Sequence, residues 1–444
     1  MPKLLFNIYD ERVRGRPMLR YLREYEQQQW LPVQAIRGLQ LGKLRKLLTH
    51  AAATVPHFRA MAAANGDMAA RISSLSDLAD LPIMTKQQIR DRYTDFVSAT
   101  EGRDNVRKAT GGSTGDPFQF QYNRDSEYRR LAVMWRGYRW GGADIGARSA
   151  FIWSWPFAGR RGWSLAKEKL YQRILGRTYF NIFELADDNL PEVARRLAKL
   201  RPDVIVTYVS GGLTLARWMI ENRFEFPPPR GVITGAEALH EPERAILRQA
   251  FGAPVFNTYG GREFMLLAAE CEQHRGLHVS ADHLILETVD EQGRAVVGEP
   301  GRVLITDLHN YGMPFVRYAN GDVAAIDPEP CACGRGLPLL KYVEGRVADI
   351  VRLPDGRRLT GLYFVHMLKD FQRIRFYKIT QHRRDSLRIQ IVPRESNAAG
   401  LIEQVKAVLT PELGPSVELA VELVQDIPLT GAGKRRIVES LVES

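Results

Sequence analysis

The chain has 444 residues, 45% hydrophobic and 25% charged, a profile of folded globular proteins that excludes disordered, fibrous and small disulfide-stapled classes. Its 62 basic against 51 acidic residues give a net charge of +11. The cations are dispersed, with small clusters (Arg12/Arg14/Arg16, Arg160/Arg161, Arg383/Arg384) that lack interleaved aromatics, so a solvated basic surface is expected first, polyanionic small ligands such as ATP or CoA next, and nucleic acid last.

Charge interrupts the N-terminus before any apolar signal core can form. The most apolar stretch, Val204 to Ala216, is too short to span a bilayer and ends at Arg217. Three cysteines cannot pair completely, so a reducing, cytoplasmic setting without membrane insertion is expected. No internal repeat is present, which leaves mixed α/β architectures.

Leu41, Leu44, Leu47, Leu48 and Ala51 recur at helical spacing and predict an amphipathic helix ending before Pro56. Ser74 to Arg92 reads as a turn, a short helix, a proline break and a second helix opened by Thr85. From about Val106, the strand-like runs FQFQYN, SAFIWSW, DVIVTYVS, GVITGAEAL and APVFNTYG alternate with helical ones, which predicts parallel strands joined by crossover helices. After Leu277 closely spaced strands (HLILETVDEQGRAVVG, GRVLITDL) predict a β-rich subdomain. Beyond about Gly345, RIRFYKITQH, SLRIQIVP, a helix around LIEQVKAVLT and VELAVELV predict a small α+β unit. The expected organisation is a domain over 1–345 and a second over 346–444.

The sharpest local signal is Thr110-Gly111-Gly112-Ser113-Thr114-Gly115. Its glycines let backbone amides approach an anion, and its hydroxyls add donors, which suits phosphate cradling. No Gly-Lys-Ser/Thr follows, so it is not a Walker A loop, and a plain Gly/Ser/Thr turn fits this segment equally well. NTYGGREF carries Tyr259, Arg262 and Glu263, NYGMPFVRYANGD carries Arg317 and Asp322, GRVADIV carries Arg346 and Asp349, and PLTGAGKRR presents Lys434 after a flexible Gly-x-Gly. Each is weak in isolation.

In this order the segments resemble the adenylate-forming superfamily. Within it TVPHFR, LPIMTKQQIR, TGGSTGDPF, ITGAEAL, NYGMPFVRYANGD and CACGRGLP resemble the phenylacetate-CoA ligase-like branch and its capsular polysaccharide biosynthesis (CapK-like) subgroup, across nearly the whole chain. The resemblance implies two steps: a carboxylate attacks the α-phosphate of ATP and releases pyrophosphate, then a thiol or amine takes the acyl group from AMP. It implies that Thr110 to Gly115 hold the β,γ-phosphates, and that Gly235, Ala236, Glu237 and Tyr259 line the adenine. It further gives Glu263 to Mg²⁺, Asp322 and Arg346 to the ribose, and Lys434 to the substrate carboxylate and α-phosphate. The smaller unit is then a mobile lid with Asp349 near its hinge. The implied partners are a carboxylic acid and CoA, a carrier protein or an amine, with a homodimer as in many relatives.

Three departures stand out. Phe118 replaces the lysine often found after the loop's Pro117, so Lys108 or Arg107 is expected to supply charge. Arg262 replaces the usual threonine before Glu263, and Asp349 falls one position late. These motivate a non-catalytic nucleotide-binding scaffold as one alternative; adenylation of a hydroxyl-bearing cofactor is another.

Cys271-x-x-His274 and Cys331-x-Cys333 place thiolates and imidazole on two turns and suit a structural Zn²⁺, with His278 as an alternative ligand. Trp153, Trp155, Trp163, Tyr208 and the Ser210-Gly211-Gly212 turn fall where relatives shape the acyl pocket, and aromatic walls favour an aryl acid, while core packing explains each tryptophan equally.

Overall fold

The computed structural model describes residues 15–100, 105–109, 118–153, 161–186, 188–346, 351–359, 361–368, 371, 373–395, 398–428 and 437–442. Helices begin the described chain at Met18–Gln28, Val33–Thr54 and Pro56–Asn65. The second of these is the predicted amphipathic helix; it buries Ile36, Gln40, Leu44, Leu47, Leu48 and Ala51 and stops where Pro56 opens the next helix. Thr85 caps the helix Lys86–Asp91, its hydroxyl accepting from the Gln88 amide while Gln88 reaches back to the Thr85 amide.

A hairpin, β1 (Val106–Ala109) and β2 (Gln119–Tyr122), precedes the main sheet. Then follow β3 (Ser149–Trp153), β4 (Arg177–Asn181), β5 (Val204–Tyr208), β6 (Gly231–Gly235) and β7 (Val255–Tyr259), parallel in the order β4-β3-β5-β6-β7. Strand β5 is buried along its whole length, as a parallel strand covered on both faces must be. One face packs on the helices Met18–Gln28, Arg124–Trp140 and Gly162–Ile174, the other on Leu190–Leu200, Val209–Glu221 and Glu241–Phe251.

The β-rich segment is no separate sheet. β8 (Ala268–Glu270), β9 (Leu277–Val279), β10 (Leu284–Val289), β11 (Gly301–Asp307), β12 (Tyr318–Asp327) and β13 (Leu339–Arg346) continue the parallel strands antiparallel through the β7–β8 pair, giving one 11-stranded sheet. A further core contains Val351, Phe364, Ile379, Ile389, Val405, Leu409 and Val438. It is built on β14 (Val351–Arg352), β15 (Arg358–Leu359), β16 (Ile374–Arg383), β17 (Ser386–Pro393), β18 (Glu418–Leu423) and β19 (Val438–Ser440), with the helix Leu401–Leu413. This unit touches the helix Val209–Glu221: Arg217 Nη1 donates to the Arg375 carbonyl at 3.1 Å, and Arg394 pairs with Glu221 at 2.8 Å. Among the described residues no helix is long and apolar enough to cross a membrane.

Candidate active site

Tyr318, Asn320 and Asp322 of β12 lie where its pairing with β11 shifts register, three residues opposing Val303 and Gly321 taking a φ of 90°, and this irregularity turns their side chains to one volume. They meet the end of β7 and the turn after it. The Tyr259 hydroxyl donates to Asp322 Oδ2 at 2.6 Å, while Asn320 Nδ2 donates to that oxygen at 2.6 Å and to the Tyr259 hydroxyl at 2.7 Å. Burial, followed by the neighbouring Asp322 charge, holds the Tyr259 phenol well above its ordinary range, so it stays a donor to the carboxylate.

Further along, the Tyr318 hydroxyl donates to Glu263 Oε1 at 3.3 Å, and the Lys86 ammonium lies 3.4 Å from the same oxygen. Tyr318 is likewise kept protonated, first by burial and then by Glu263. Neutral donors and one cation thus orient the two carboxylates, an arrangement suited to hydroxyls, phosphates and a hard metal ion.

Arg262 Nη1 donates to the Ala109 carbonyl at 2.9 Å, tying the Glu263 turn to the residue before Thr110. Thr110, Gly111, Gly112, Ser113, Thr114 and Gly115 lie outside the described residues, as do Trp155, Asp349 and Lys434. Of Arg346 the backbone is described; it pairs with Asp322 across β12 and β13. Phe118, standing where the resemblance leads one to expect a lysine, is buried and stacked between Phe120 and Tyr318. Lys108 pairs with Glu127 at 3.9 Å and lies over the Tyr122 ring, on an exposed stretch of β1. Arg317 is buried and structural, donating to the Ala79, Leu81 and Gly293 carbonyls and pairing with Glu287.

Trp153 ends β3 and Tyr208 ends β5. The helices that follow these adjacent strands, Gly162–Ile174 and Val209–Glu221, pack on opposite faces of the sheet, the arrangement beside which open α/β sheets bind ligands. The two rings meet edge to face at 4.2 Å. Gly235 ends β6 beside them; a Cβ there would stand 2.7 Å from Thr258 Oγ1 and 3.5 Å from Trp153. Ala236 then takes a left-handed φ of 70°. Glu237 turns its carboxylate onto the start of the helix Val209–Glu221, accepting from the Ser210 amide at 2.7 Å and hydroxyl at 3.0 Å. Gly211 is a packing position, where a Cβ would meet Ile182 at 2.9 Å, and Trp163 is 83% exposed on its helix.

The cysteine cluster forms, with one change of ligand. Cys271, His278, Cys331 and Cys333 bring their ligand atoms within 4.8 Å of one another. Cys271 and Cys331 sulfurs are 3.8 Å apart, the edge of a tetrahedron with Zn–S bonds of about 2.3 Å. His278 Nδ1 is 3.0 Å from the Leu337 carbonyl, which fixes that nitrogen as the donor and turns Nε2 toward Cys333 at 3.2 Å. His274, the expected ligand, is not in the cluster. Its left-handed φ of 49° aims the ring at Phe256, and Nδ1 sits 3.4 Å from Glu270.

Lys86, Tyr318 and Asn320 were not singled out for chemistry from sequence. The last two lie in the NYGMPFVRYANGD segment that carries Asp322, and Lys86 lies in the LPIMTKQQIR segment, but no spacing rule marks them because β12 is irregular there.

No protein-family model matches the chain. It is 27% identical to a phenylacetate-coenzyme A ligase of Thermus thermophilus over 335 residues, covering 72% of each chain. It is 21% identical to the protein CapK of Staphylococcus aureus, covering 82% of this chain and 80% of CapK. Among solved structures, 2-hydroxyisobutyryl-CoA ligase in the postadenylation state superposes with a TM-score of 0.75 at 20% identity, covering 93% of this chain and 91% of that one. The chain is therefore similar along most of its length to phenylacetate-CoA ligases and to CapK, and its fold is that of the adenylate-forming ligases.

Proposed function

We propose that the protein activates a carboxylic acid with ATP and transfers the acyl group to a thiol or amine. The observation that carries this reading is the pair of clusters on β12, Asp322 with Tyr259 and Asn320, and Glu263 with Tyr318 and Lys86, next to the end of β7. In the first step a carboxylate oxygen bonds to the α-phosphorus while the bond to the β-phosphate oxygen breaks and pyrophosphate leaves with the electron pair. In the second, the acceptor attacks the acyl carbon and AMP leaves.

Within this reading Asp322 accepts from the ribose hydroxyls, its orientation held by Tyr259 and Asn320. Glu263 fits Mg²⁺ as a hard oxygen ligand, and an ion held there would neutralise negative charge on the departing pyrophosphate. The resemblance assigns Lys434 to the reacting carboxylate and α-phosphate, Arg346 to the ribose and Thr110 to Gly115 to the outer phosphates. It also makes the 346–444 unit a lid that moves between half-reactions. The Trp153–Tyr208 pair favours a flat, aromatic acid, and CoA is the acceptor favoured by the relatives' names. The four Cys/His ligands fit a structural Zn²⁺ that pins the turn at Cys331 to the β8–β9 hairpin.

ATP–pyrophosphate exchange across aryl, aliphatic and amino acids, without acceptor, tests the reading. Exchange with one class of acid is expected; silence with every acid in a protein that binds ATP would overturn acid activation.

A further inference from the structure

We infer that Arg217 is a positioning residue that latches the 346–444 unit in the arrangement that completes acid activation, so that its removal slows acid activation and spares acyl transfer; this rests on the acid-activation reading above. The fold takes more than one arrangement. On 2-hydroxyisobutyryl-CoA ligase the chain superposes with a TM-score of 0.75 in that ligase's postadenylation state and 0.62 in its thioesterification state, at 20% identity in both, covering 93% and 94% of this chain. One protein supplies both comparisons, so the difference is one of arrangement and not of sequence. This chain therefore has the first arrangement, and the contacts between its two units belong to it.

Arg217 is the cation that ends the most apolar stretch of the chain. On the helix Val209–Glu221, Leu213, Leu215, Ala216 and Met219 are buried in the larger unit, while Arg217 reaches the smaller one, where its Nη1 donates to the Arg375 carbonyl of β16 at 3.1 Å. A bond to a backbone carbonyl fixes the strand itself, whatever side chains the strand carries. Tyr377, also on β16, lies in the field of Arg217 and of Glu243 on the helix Glu241–Phe251. Its hydroxyl is held above the ordinary range by burial and then by Glu243, and the Glu243 carboxyl is pushed up to about 7, by burial first. The Arg394–Glu221 pair lies between the same two units, but with the Glu221 side chain 58% exposed it adds little.

Docking also carries a cost, which lets it be undone. Arg217 Nε is buried without a hydrogen-bond partner among the described residues, and burial, followed by the Arg394 charge, disfavours the charged guanidinium. A directional bond set against desolvation keeps the two arrangements close in free energy, as a unit that moves within each turnover requires. The helix itself links docking to the site. Ser210 and Arg217 lie two helical turns apart on one face, and the Ser210 amide and hydroxyl hold Glu237 beside the end of β6.

The test compares Arg217→Met, Arg217→Lys and Glu221→Gln by hydroxyl-radical footprinting and by activity. Losing a charge-assisted hydrogen bond in Arg217→Met should shift the docked-to-released ratio by about tenfold or more. Tyr377 should then be labelled severalfold faster, with Tyr25 and Tyr138, buried in the larger unit, unchanged. Arg217→Lys should restore most of the protection, and Glu221→Gln should stay within about twofold of the parent. With the acid that the exchange panel selects, pyrophosphate exchange should fall about tenfold in Arg217→Met, while transfer from the synthetic acyl-adenylate of that acid to CoA does not fall. Unchanged labelling of Tyr377 overturns the latch, and so does a parallel rise at Tyr25 and Tyr138, which marks loosening of the whole fold. Equal losses in the two half-reactions overturn the bias toward activation. Should the parent exchange no pyrophosphate with any acid, acid activation falls, and Tyr377 labelling still decides whether Arg217 holds the unit.

Discussion

Two adjacent glycines in the Glu263 turn should respond oppositely to the same substitution. A Cβ on Gly260 would stand 2.0 Å from the Met265 carbonyl oxygen and 3.1 Å from its carbon, whereas one on Gly261 would reach only Glu263 Oε2, at 3.4 Å. Neither glycine has a positive φ, so the difference is contact alone. The Gly260 clash is with backbone and cannot be relieved by a rotamer change. The turn must open by about 1 Å, at a strain of roughly 1–3 kcal/mol. That turn carries Arg262 and Glu263 and closes with Met265 at a φ of 68°, so the displacement passes to the carboxylate paired with Lys86 and Tyr318. A misplacement of about 1 Å can cost about 100-fold in rate. Gly260→Ala should therefore lose about 100-fold in pyrophosphate exchange per folded molecule and melt a few degrees lower, while Gly261→Ala stays within about threefold. Equal activities in the two variants, or a Gly260→Ala protein that melts lower yet exchanges normally, would refute the claim that this turn sets the Glu263 position.

Zinc analysis of purified protein should give about one equivalent per chain; His278→Ala should lose it and His274→Ala should keep it, and the reverse pattern would restore His274 as the ligand. A second test concerns the buried histidines. His283, bonded through Nδ1 to the Tyr25 hydroxyl at 2.9 Å and stacked on His309, is held well below its ordinary pKa of 6.5, first by burial and then by His309. His309 is depressed likewise, by burial and then by Lys43, Arg129 and Arg130. Both are neutral in the fold while the unfolded chain takes up protons below pH 6.5, so their contribution is constant at higher pH and falls as pH drops, by up to about 1.4 kcal/mol per unit for each. Urea midpoints measured from pH 7.5 to 5.5 should decline less steeply in His309→Gln than in the parent; parallel slopes would remove these residues as the cause.

Most local elements were legible because their signals are local. The helix ending before Pro56, the Thr85 cap and the five strand-like runs that became β2, β3, β5, β6 and β7 all follow from spacing, capping and β-rich composition. The continuous sheet was not, because the β7–β8 pairing joins Tyr259 to Ala268 across a turn that no periodicity describes. The choice between His274 and His278 in the cysteine cluster was open in sequence for a similar reason. Cys271-x-x-His274 looks like a ligand pair in sequence, but His278 reaches the cluster only because β9 pairs with both β8 and β13, opposite Ala269 and Leu339. The resemblance gave Glu237 to the adenine, yet its hydrogen bonds to Ser210 are set by a helix start 27 residues earlier, which no local pattern marks.

The position of Lys86 changes which part of the chain counts as the site. Residues 75–91 look like an accessory helical segment, but Arg317 holds the Ala79 and Leu81 carbonyls, Met84 pairs with Tyr318, and Lys86 meets Glu263. The strand that carries Asp322 is therefore braced from this side by the same segment that supplies a cation to Glu263. From the other side it is held by Tyr259, at the end of the parallel strands. The bracing comes from backbone bonds and buried side chains, such as the Met84–Tyr318 bridge, Arg317 and Phe118. The candidate site lies at the seam between the parallel and antiparallel halves, where β7, β12 and the 75–91 segment each present a polar end to one volume while their apolar faces stay buried.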